Sequence, residues 1–378
     1  MKQLVLVINE DSFFLSHRSR IATTAKSRGW SVILVAKNTG FRSYIEKMGI
    51  EYIDLPINPT GMNLKEEFKT FKFLYSLYRK YPDAIIHHVG LKNMLWGGLA
   101  SRLTKTKGVV YAVSGLGMLF GENSRRMLSR TIQHVLGFAM GKKNVAVIFQ
   151  NHDDESIFVR NRLVDPGKVE FIKGSGVDME EFSFSEPPET APLVIIFTAR
   201  MLKEKGVLDL VAAAEILRNE YEGKIEIWLC GGLSSNPCAM TEKEMHSIAD
   251  GSYIKWLGHR TDVNELLKKS SIMCFPSYYR EGVPKSLIEA SAIGRPIITT
   301  DSVGCRDTVV DGENGFLVPV HDPVSLAHSL KKLIDDAELR KNMGKKSRLI
   351  AERDYDVNKV ADLHIEIYEK LYNAKTDK

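Results

Sequence analysis

Short apolar runs alternate with longer amphipathic segments along the whole chain. The apolar runs are QLVLVI, SVILVA, AIIHH, GVVYAV and NVAVIFQ in the first half and LVIIFTA, KIEIWLC, YIKWLG, SIMCFP and RPIITT in the second. The segments between them, such as 16–29 and 40–48, have helical spacing, so the alternation predicts βαβ units with parallel sheets. Because the apolar runs are unbroken, we expect helices to cover both faces of each sheet.

The segment SFSEPPETAP, residues 183–192, interrupts this alternation with three prolines, and a second series of apolar runs follows it. Such segments commonly separate domains. We therefore predict an α/β protein with two doubly wound, Rossmann-like domains, residues 1–185 and 190–355, followed by a C-terminal helix within 356–378. Ligands of doubly wound sheets bind beyond the carboxyl ends of the strands, so we expect functional residues directly after strands, lining a cleft between the domains.

The basic residues are unevenly distributed between the two halves of this 378-residue chain. Residues 1–188 contain 26 Lys and Arg against 18 Asp and Glu, whereas the remainder contains 26 against 29. The basic half lacks a dense block of Lys and Arg. The excess therefore favours a phosphorylated substrate or an anionic membrane surface over a nucleic acid.

The four cysteines lie far apart and form no C-x-x-C pair, which favours a reducing compartment. The N-terminal apolar run is too short for a secretion signal, and no stretch approaches the ~18 apolar residues of a membrane-spanning helix. We expect a cytoplasmic protein, either soluble or peripheral on the inner face of the cytoplasmic membrane.

Two cations follow the first strand of the second series. In FTARMLKEKG, Arg200 and Lys205 lie on the connection into the next helix. Positive charge at a helix N-terminus opposes the helix dipole by ~0.3–1 kcal/mol per charge, so a bound anion is the simplest compensation. Ordinary solvated side chains are the alternative.

Two carboxylates eight positions apart occur in REGVPKSLIEA. Glu281 lies in a loop containing Gly282 and Pro284, whose amides are suited to phosphate or sugar oxygens, and Glu289 lies in the following helix. A second interpretation exists for Glu289, because Ser286 and Glu289 match the S-x-x-E capping box, in which the glutamate only satisfies a backbone donor.

Three other motifs have weaker interpretations. GLGMLFG, residues 115–121, has one residue too many for a dinucleotide fingerprint and follows a late strand, so we do not expect nicotinamide binding. Asp354-Tyr355-Asp356 has the spacing of a metal-binding D-x-D, but it lies among C-terminal helices, where Asp356 suits a helix N-cap. We predict no metal and no P-loop.

Two basic segments, 65–81 and 123–143, repeat apolar residues at helical spacing. For the first we favour a helix that packs its apolar stripe on the domain, with a membrane-lying helix as the alternative. His87 and His88 end an apolar strand, and one of them is expected to be a satisfied interior histidine and not a catalytic base.

Together these residues resemble the retaining glycosyltransferases of family 4, especially their bacterial capsular and lipid-linked polysaccharide branch. Beyond the Arg200/Lys205 pair, the similar pieces are FFLSHR, VSGLG, VIFQN, GSGVD, LGHRTDV, EGVPKSLIEA, GRPIITTDSVGCRD and DGENGFLVP, which span nearly the whole chain. Glu281 and Glu289 supply the family's E-x7-E pattern.

The resemblance implies a GT-B fold whose last helix crosses back to the N-terminal domain, with a nucleotide sugar, UDP-linked by expectation, as donor substrate and no cofactor. By similarity Arg200 and Lys205 hold the diphosphate, Glu281 the donor-sugar hydroxyls and Glu289 the ribose. The full predicted donor-binding set is Arg200, Lys205, Gly231, Gly232, Glu281, Gly282, Val283, Pro284, Lys285, Ser286 and Glu289. The predicted acceptor-side set in the N-terminal domain is Ser16, His17, Lys92, Ser114 and Gly115.

The predicted reaction is transfer of a hexose or N-acetylhexosamine to a polyprenyl-diphosphate-linked saccharide in surface polysaccharide synthesis. Arg200, Lys205 and loop amides would stabilise the departing diphosphate, whose oxygen accepts the acceptor proton on the same face and so retains configuration. We favour a positioning role for Glu281 and leave a nucleophilic role open. Many relatives have histidine where this chain has Ser114, so the roles of the N-terminal domain are less transferable. The rivals are a GT-B sugar-nucleotide epimerase, a dehydrogenase and a non-catalytic nucleotide-sugar-binding protein.

Overall fold

The chain divides into two compact units, each with its own sheet. The structure is a computed structural model that describes residues 1–58, 63–115, 126–234, 236 and 238–374. The first unit comprises Met1–Ser175 with Val357–Lys378, and the second comprises Gly176–Asp356. Both sheets are entirely parallel and flanked by helices, which confirms the predicted doubly wound α/β architecture.

The first unit contains a seven-stranded sheet in the order β3-β2-β1-β4-β5-β6-β7. Its strands are β1 (Lys2–Glu10), β2 (Trp30–Lys37), β3 (Glu51–Asp54), β4 (Ile85–Val89), β5 (Gly108–Val113), β6 (Val145–Phe149) and β7 (Val169–Phe171). Its first seven helices are α1 (Asp11–His17), α2 (Ser19–Ser27), α3 (Arg42–Lys47), α4 (Leu64–Tyr78), α5 (Leu91–Arg102), α6 (Arg126–Met140) and α7 (His152–Arg160). Strand order reverses between β1 and β4, which makes their carboxyl ends the expected binding edge.

The second unit contains a six-stranded sheet in the order β10-β9-β8-β11-β12-β13. Its strands are β8 (Leu193–Thr198), β9 (Ile225–Cys230), β10 (Ile254–Gly258), β11 (Ile272–Phe275), β12 (Ile297–Thr300) and β13 (Gly315–Val318). Its helices are α8 (Val207–Tyr221), α9 (Glu242–Ile248), α10 (Val263–Lys269), α11 (Lys285–Ile293), α12 (Pro323–Asp335) and α13 (Ala337–Asp354). Here the order reverses between β8 and β11, and the predicted donor-binding residues follow these two strands and β9.

The last helix, α14 (Val357–Asn373), packs on the first unit, as predicted. Its apolar face joins the core against α2 and the central strands. Within that face the Tyr368 hydroxyl lies 2.6 Å from His87 Nδ1, and the Asn144 side chain donates to Leu371 O at 2.9 Å. The chain therefore returns to its first unit through packing and buried hydrogen bonds.

The proline-rich segment 183–192 belongs to the second unit, and the division between the units precedes it. Arg295, whose side chain is fully buried, donates to the backbone carbonyl groups of Ser185 and Ser270 and to the Ser185 hydroxyl. A buried guanidinium with several donors satisfies carbonyl groups that would otherwise be unpaired. The segment is thus fixed to the domain that follows it.

Local differences from the sequence prediction involve short elements. The helix expected near 16–29 is two helices, because Arg18 is buried with non-helical backbone angles between α1 and α2. Strands β3, β7 and β13, of four, three and four residues, lack the long apolar runs that marked the others. Within the described part of the chain, no helix has the length and apolar character needed to cross a bilayer.

Candidate active site

The two predicted cations lie on the connection between β8 and α8. Arg200 follows the strand and is exposed, and Lys205 ends a short helical turn before Gly206. Gly206 has φ +80°, and a Cβ there would lie 2.0 Å from the carbonyl oxygen of Pro276. Only glycine allows this close approach, which brings Lys205 against the loop that follows β11.

Lys205 and Glu281 form a direct ion pair, with Lys205 Nζ donating to Glu281 Oε1. Both side chains are only 12% exposed. Aromatic rings of Phe275 and Tyr279 lie 5.5 Å and 5.1 Å from the same ammonium group. Because little water reaches these groups, the attraction of the ammonium group to the carboxylate and to the rings is stronger than it would be on an open surface. The two residues predicted to contact opposite ends of the donor are therefore neighbours in this structure.

The loop after β11 is fixed to the Lys205 turn through one carbonyl group. Glu204 O accepts from the backbone amides of Tyr278 and Tyr279, both at 3.0 Å, and from the Ser277 hydroxyl at 3.3 Å. That hydroxyl also lies 3.4 Å from Glu281 Oε1. Burial raises the pKa of the Tyr279 phenol, and the nearby Glu281 carboxylate raises it further, so the phenol stays neutral.

Two glycines of the site lie where the backbones of neighbouring loops come too close for a Cβ atom. A Cβ on Gly304, which has φ +80°, would lie 1.5 Å from Gly282 O, and one on Gly231 would lie 1.6 Å from Ala199 O. The Met201 amide donates to Gly232 O at 3.0 Å. The loops after β8, β9, β11 and β12 are therefore packed backbone to backbone around the ion pair.

Glu289 lies in the fifth position of α11 and not in a capping box. The helix begins at Lys285 with Pro284 as its N-cap residue and no side-chain cap, so Ser286 is already inside the helix. The capping-box interpretation was wrong, because the helix follows directly on the buried loop 282–284 and so begins before Ser286, which cannot be its N-cap. Burial raises the pKa of Glu289, and Lys285, 3.4 Å away, partly opposes the rise.

The structure thus brings Lys205 and Glu281 into contact and pairs Glu289 with Lys285. Gly282, Val283 and Pro284 form the buried floor of the loop. Sequence reasoning missed the residues that surround the ion pair, namely Phe275 and Tyr279 beside Lys205 and Ser277 beside Glu281. Their signal was their position, since all three occur at or just after the carboxyl end of a strand next to the switch point.

The predicted acceptor-side residues follow adjacent strands of the first unit. Ser16 and His17 end α1, where the hydroxyl lies 2.7 Å from the His17 ring and that ring stacks on Phe13. Lys92 is the second residue of α5 and pairs with Glu67 at 2.6 Å. Ser114 and Gly115 come directly after β5 and end the described residues there, so 116–121 of the glycine-rich motif lies outside them.

Both strand histidines are interior side chains, whereas the sequence predicted this for one of them. His88 Nε2 lies 2.8 Å from the Tyr78 hydroxyl, and burial lowers the pKa of His88 to about 3. His87 is also fully buried, and burial lowers its pKa well below the usual value. Among the described residues, no three His, Cys, Asp or Glu side chains form a group suited to a metal ion. Asp356 immediately precedes α14.

Family models match both halves of the chain. Residues 178–349 match the model described as "Glycosyl transferases group 1". Residues 3–151 match the one described as "Glycosyl transferase 4-like". The first match contains every predicted donor-binding residue, and the second contains every predicted acceptor-side residue.

Relatives of known activity align along most of the chain. One is the N,N'-diacetylbacillosaminyl-diphospho-undecaprenol alpha-1,3-N-acetylgalactosaminyltransferase of Campylobacter jejuni, 26% identical over 95% of this chain and 98% of the relative. Another is the UDP-Gal:alpha-D-GlcNAc-diphosphoundecaprenol alpha-1,3-galactosyltransferase of Escherichia coli, 24% identical over 89% of both chains. A glycosyltransferase structure from Rickettsia africae superposes with a TM-score of 0.80 at 18% identity, covering 99% of each chain, which supports the fold alone.

Proposed function

We propose that this chain, which belongs to the group 1 glycosyltransferases and has a glycosyl transferase 4-like N-terminal half, transfers the sugar of a UDP-sugar to a lipid-linked saccharide. The observation that carries this proposal is the ion pair of Lys205 and Glu281 at the carboxyl edge of the second sheet, with Arg200 on the same connection. A donor with a diphosphate at one end and hydroxyl groups at the other suits this edge of the sheet, because the cations attract the diphosphate and the carboxylate accepts hydrogen bonds from the hydroxyl groups.

The ion pair has a direct role in donor binding. Lys205 and Glu281 neutralise each other in the structure, so an incoming diphosphate competes with the carboxylate for the ammonium group. Once Lys205 turns to the phosphate oxygens, the Glu281 oxygen that Lys205 had occupied accepts hydrogen bonds from the sugar hydroxyls. Binding of both donor ends is thereby coupled through one contact.

Bond cleavage places negative charge on the leaving diphosphate and positive charge on the anomeric carbon. Arg200 and Lys205 stabilise the first, and the Glu281 carboxylate positions the sugar. A leaving-phosphate oxygen accepts the proton of the attacking hydroxyl on the same face, so configuration is retained without a protein nucleophile. The cations of this chain neutralise the diphosphate charge, and we assign no metal or other cofactor to the step.

The acceptor proposal comes from the relatives. Both named transferases carry a diphospho-undecaprenol-linked sugar in their names, and one names UDP-Gal as donor. We therefore propose a polyprenyl-diphosphate-linked saccharide as acceptor, bound on the first unit near Ser16, His17, Lys92, Ser114 and Gly115. A hexose or N-acetylhexosamine is the transferred group. The reaction belongs to capsule, O-antigen or related polysaccharide synthesis, on the inner face of the cytoplasmic membrane.

A transfer assay tests this function. The protein is incubated with a short-chain polyprenyl-diphosphate saccharide and a panel of UDP-hexoses and UDP-N-acetylhexosamines. The masses of the products are then measured by mass spectrometry. We expect one donor to add one sugar with release of UDP. Incubation with the donor alone separates transfer from epimerisation, because an epimerase interconverts the sugar without an acceptor. Donor binding without any product would contradict the proposal.

Site variants test the residue roles. Because fixed charges aimed at a leaving group contribute ~10²–10³ to the rate, Arg200→Ala and Glu281→Gln should each lower kcat by about that factor. Glu220→Gln is the matched control, since Glu220 is an exposed carboxylate paired with Lys331 at the far end of α8. Wild-type rates for both site variants would refute the assignment.

A further inference from the structure

Helix α4 exposes an apolar arc at its N-terminal end, formed by Leu64 and Phe68. At 3.6 residues per turn, Leu64, Phe68, Phe71 and Tyr75 lie on one side of the helix. The buried residues of α4 lie on a different side, and they are Glu67, Thr70, Leu74, Leu77 and Tyr78. Leu64 is 81% and Phe68 is 63% exposed. Phe71 and Tyr75, farther along the same side, are partly buried against the core, so the expected packing of the apolar stripe on the domain is confirmed there, and the exposed part is its N-terminal end.

A row of cations borders this arc. Lys65, Lys69, Lys72 and Arg79 are exposed and follow the apolar side around the helix. Among the described residues, none of the three lysines has a carboxylate within ion-pair distance. Of the acidic residues of α4, Glu66 is exposed beside Lys65 and accepts from Asn58 at 3.1 Å, and Glu67 is buried against Lys92. Among the described residues, the exposed N-terminal part of α4 is therefore apolar with an excess of positive charge, three lysines against one glutamate.

These features favour a lipid surface over a protein partner. An apolar arc bordered by Lys and Arg is the pattern of helices that lie in a bilayer interface, where the apolar side enters the acyl boundary and the cations meet anionic headgroups. A symmetric contact between two copies would set the lysine rows against each other, which is unfavourable. Arg79 lies 5.9 Å from the ring of Tyr75, so the apolar and cationic rows are adjacent.

The N-terminal half of α4 is fixed to the binding edge of the first sheet. Lys92, the second residue of α5, donates to Glu67 at 2.6 Å and to Asn58 O at 2.7 Å. The indole of Trp96 also donates to the Glu67 carboxylate. These contacts place the exposed Phe68 turn beside the carboxyl end of β4, the edge to which we assign the acceptor.

We propose that this outward face of α4, formed by Leu64, Phe68, Lys65, Lys69 and Lys72, docks on a bilayer that contains anionic phospholipid. Docking there holds the acceptor edge of the first unit at the depth of lipid headgroups. The inference rests on the proposed function in one respect, since a lipid-linked diphosphate is presented at that depth.

Vesicle flotation of the full chain tests the docking surface. Vesicles of phosphatidylcholine are compared with vesicles that also contain phosphatidylglycerol, at low and high salt. Each lysine near an anionic surface contributes ~1 kcal/mol, and a reversed charge is repelled by a similar amount, so Lys69→Glu should weaken binding about 30-fold. Phe68→Ser should weaken it about tenfold by losing the inserted ring. We expect binding only with phosphatidylglycerol, and salt should reduce it.

Matched controls use exposed residues of the first unit outside this face. Lys47→Glu on α3 reverses an exposed charge, and Leu103→Ser removes an apolar side chain that is 58% exposed. Both should bind vesicles like the wild type. All four variants should keep the wild-type melting temperature, because the altered side chains are exposed. Wild-type vesicle binding by Lys69→Glu and Phe68→Ser would overturn the proposal, as would equal binding to neutral vesicles.

Two further measurements separate this inference from its alternatives. Concentration-dependent self-association that Phe68→Ser abolishes, with no vesicle binding, would assign the face to a second copy and overturn the proposal. Activity on a water-soluble short-chain acceptor should be unchanged in Phe68→Ser. If the wild type bound anionic vesicles through α4 yet transferred no sugar to any acceptor, the proposed function would fail while the docking surface stood.

Discussion

The packing of Gly304 against Gly282 predicts a large functional effect from one methyl group. A Cβ at position 304 would lie 1.5 Å from Gly282 O, whereas real Cβ atoms essentially never approach within 3.0 Å. Gly304→Ala must therefore displace the Gly282 loop by about 1.5 Å, next to Glu281. Misplacement of a catalytic group by ~1 Å costs roughly 10² in rate, so we expect a drop in kcat of at least about that factor.

Gly312→Ala is the control that isolates the contact from backbone strain. Gly312 has φ +77°, close to the +80° of Gly304, but nothing lies within 4 Å of a Cβ built there. Both substitutions pay ~1–2 kcal/mol for alanine in the left-handed region, so both should lower the melting temperature. Only Gly304→Ala should also lose transfer rate and UDP affinity, measured by steady-state kinetics and calorimetry. Equal kcat values in the two folded variants would refute the role of this contact.

Three further predictions follow from buried groups. Arg295→Met should reduce the free energy of unfolding by ~3 kcal/mol or more in urea denaturation, because two backbone carbonyls lose charged donors. Arg260→Met is the control and should not, because the exposed Arg260 donates to the Asp262 side chain. The free energy of unfolding should fall with acidification between pH 6.5 and 5, by ~1.4 kcal/mol per pH unit for each buried histidine. In this range histidine in the unfolded chain binds a proton, whereas folded His364, whose pKa is lowered to about 3, does not. His364→Gln should therefore reduce the dependence of the unfolding free energy on pH in urea titrations. Tyr279→Leu should raise the KM for the donor more than Tyr279→Phe does, because the aromatic ring and not the neutral phenol lies beside Lys205.

The sequence predicts the sheets well because a parallel strand covered on both faces must be apolar throughout. The run LVIIFTA became the fully buried β8, and the helical periods of 323–335 and 357–373 coincide with α12 and α14. Strands such as β3 and β7 were not predictable, because three or four half-exposed residues carry no periodic signal. Their pairing is imposed by neighbouring strands.

The candidate site is a harder case, because its geometry depends on contacts between distant segments. Spacing alone identified Glu281 and Glu289 as a related pair, yet each has a different partner, Lys205 for the first and Lys285 for the second. The helix start at Lys285 decided against the capping box, and it depends on a loop packed beneath Gly304. No local pattern contains that information.

The partner of Lys205 changes what the donor site has to achieve. Had the ammonium group been solvated, a diphosphate would gain only screened surface attraction. Held instead by Glu281 and close to two aromatic rings, Lys205 is already largely shielded from water, so exchanging one carboxylate for a phosphate loses little hydration. A ligand with a diphosphate alone would take Lys205 from Glu281 without replacing that charged contact, which is unfavourable for a carboxylate that is only 12% exposed. The pair therefore favours ligands that also offer hydroxyl donors to the carboxylate, so UDP-sugars should bind more tightly than UDP, and Glu281→Gln should abolish that difference in calorimetry.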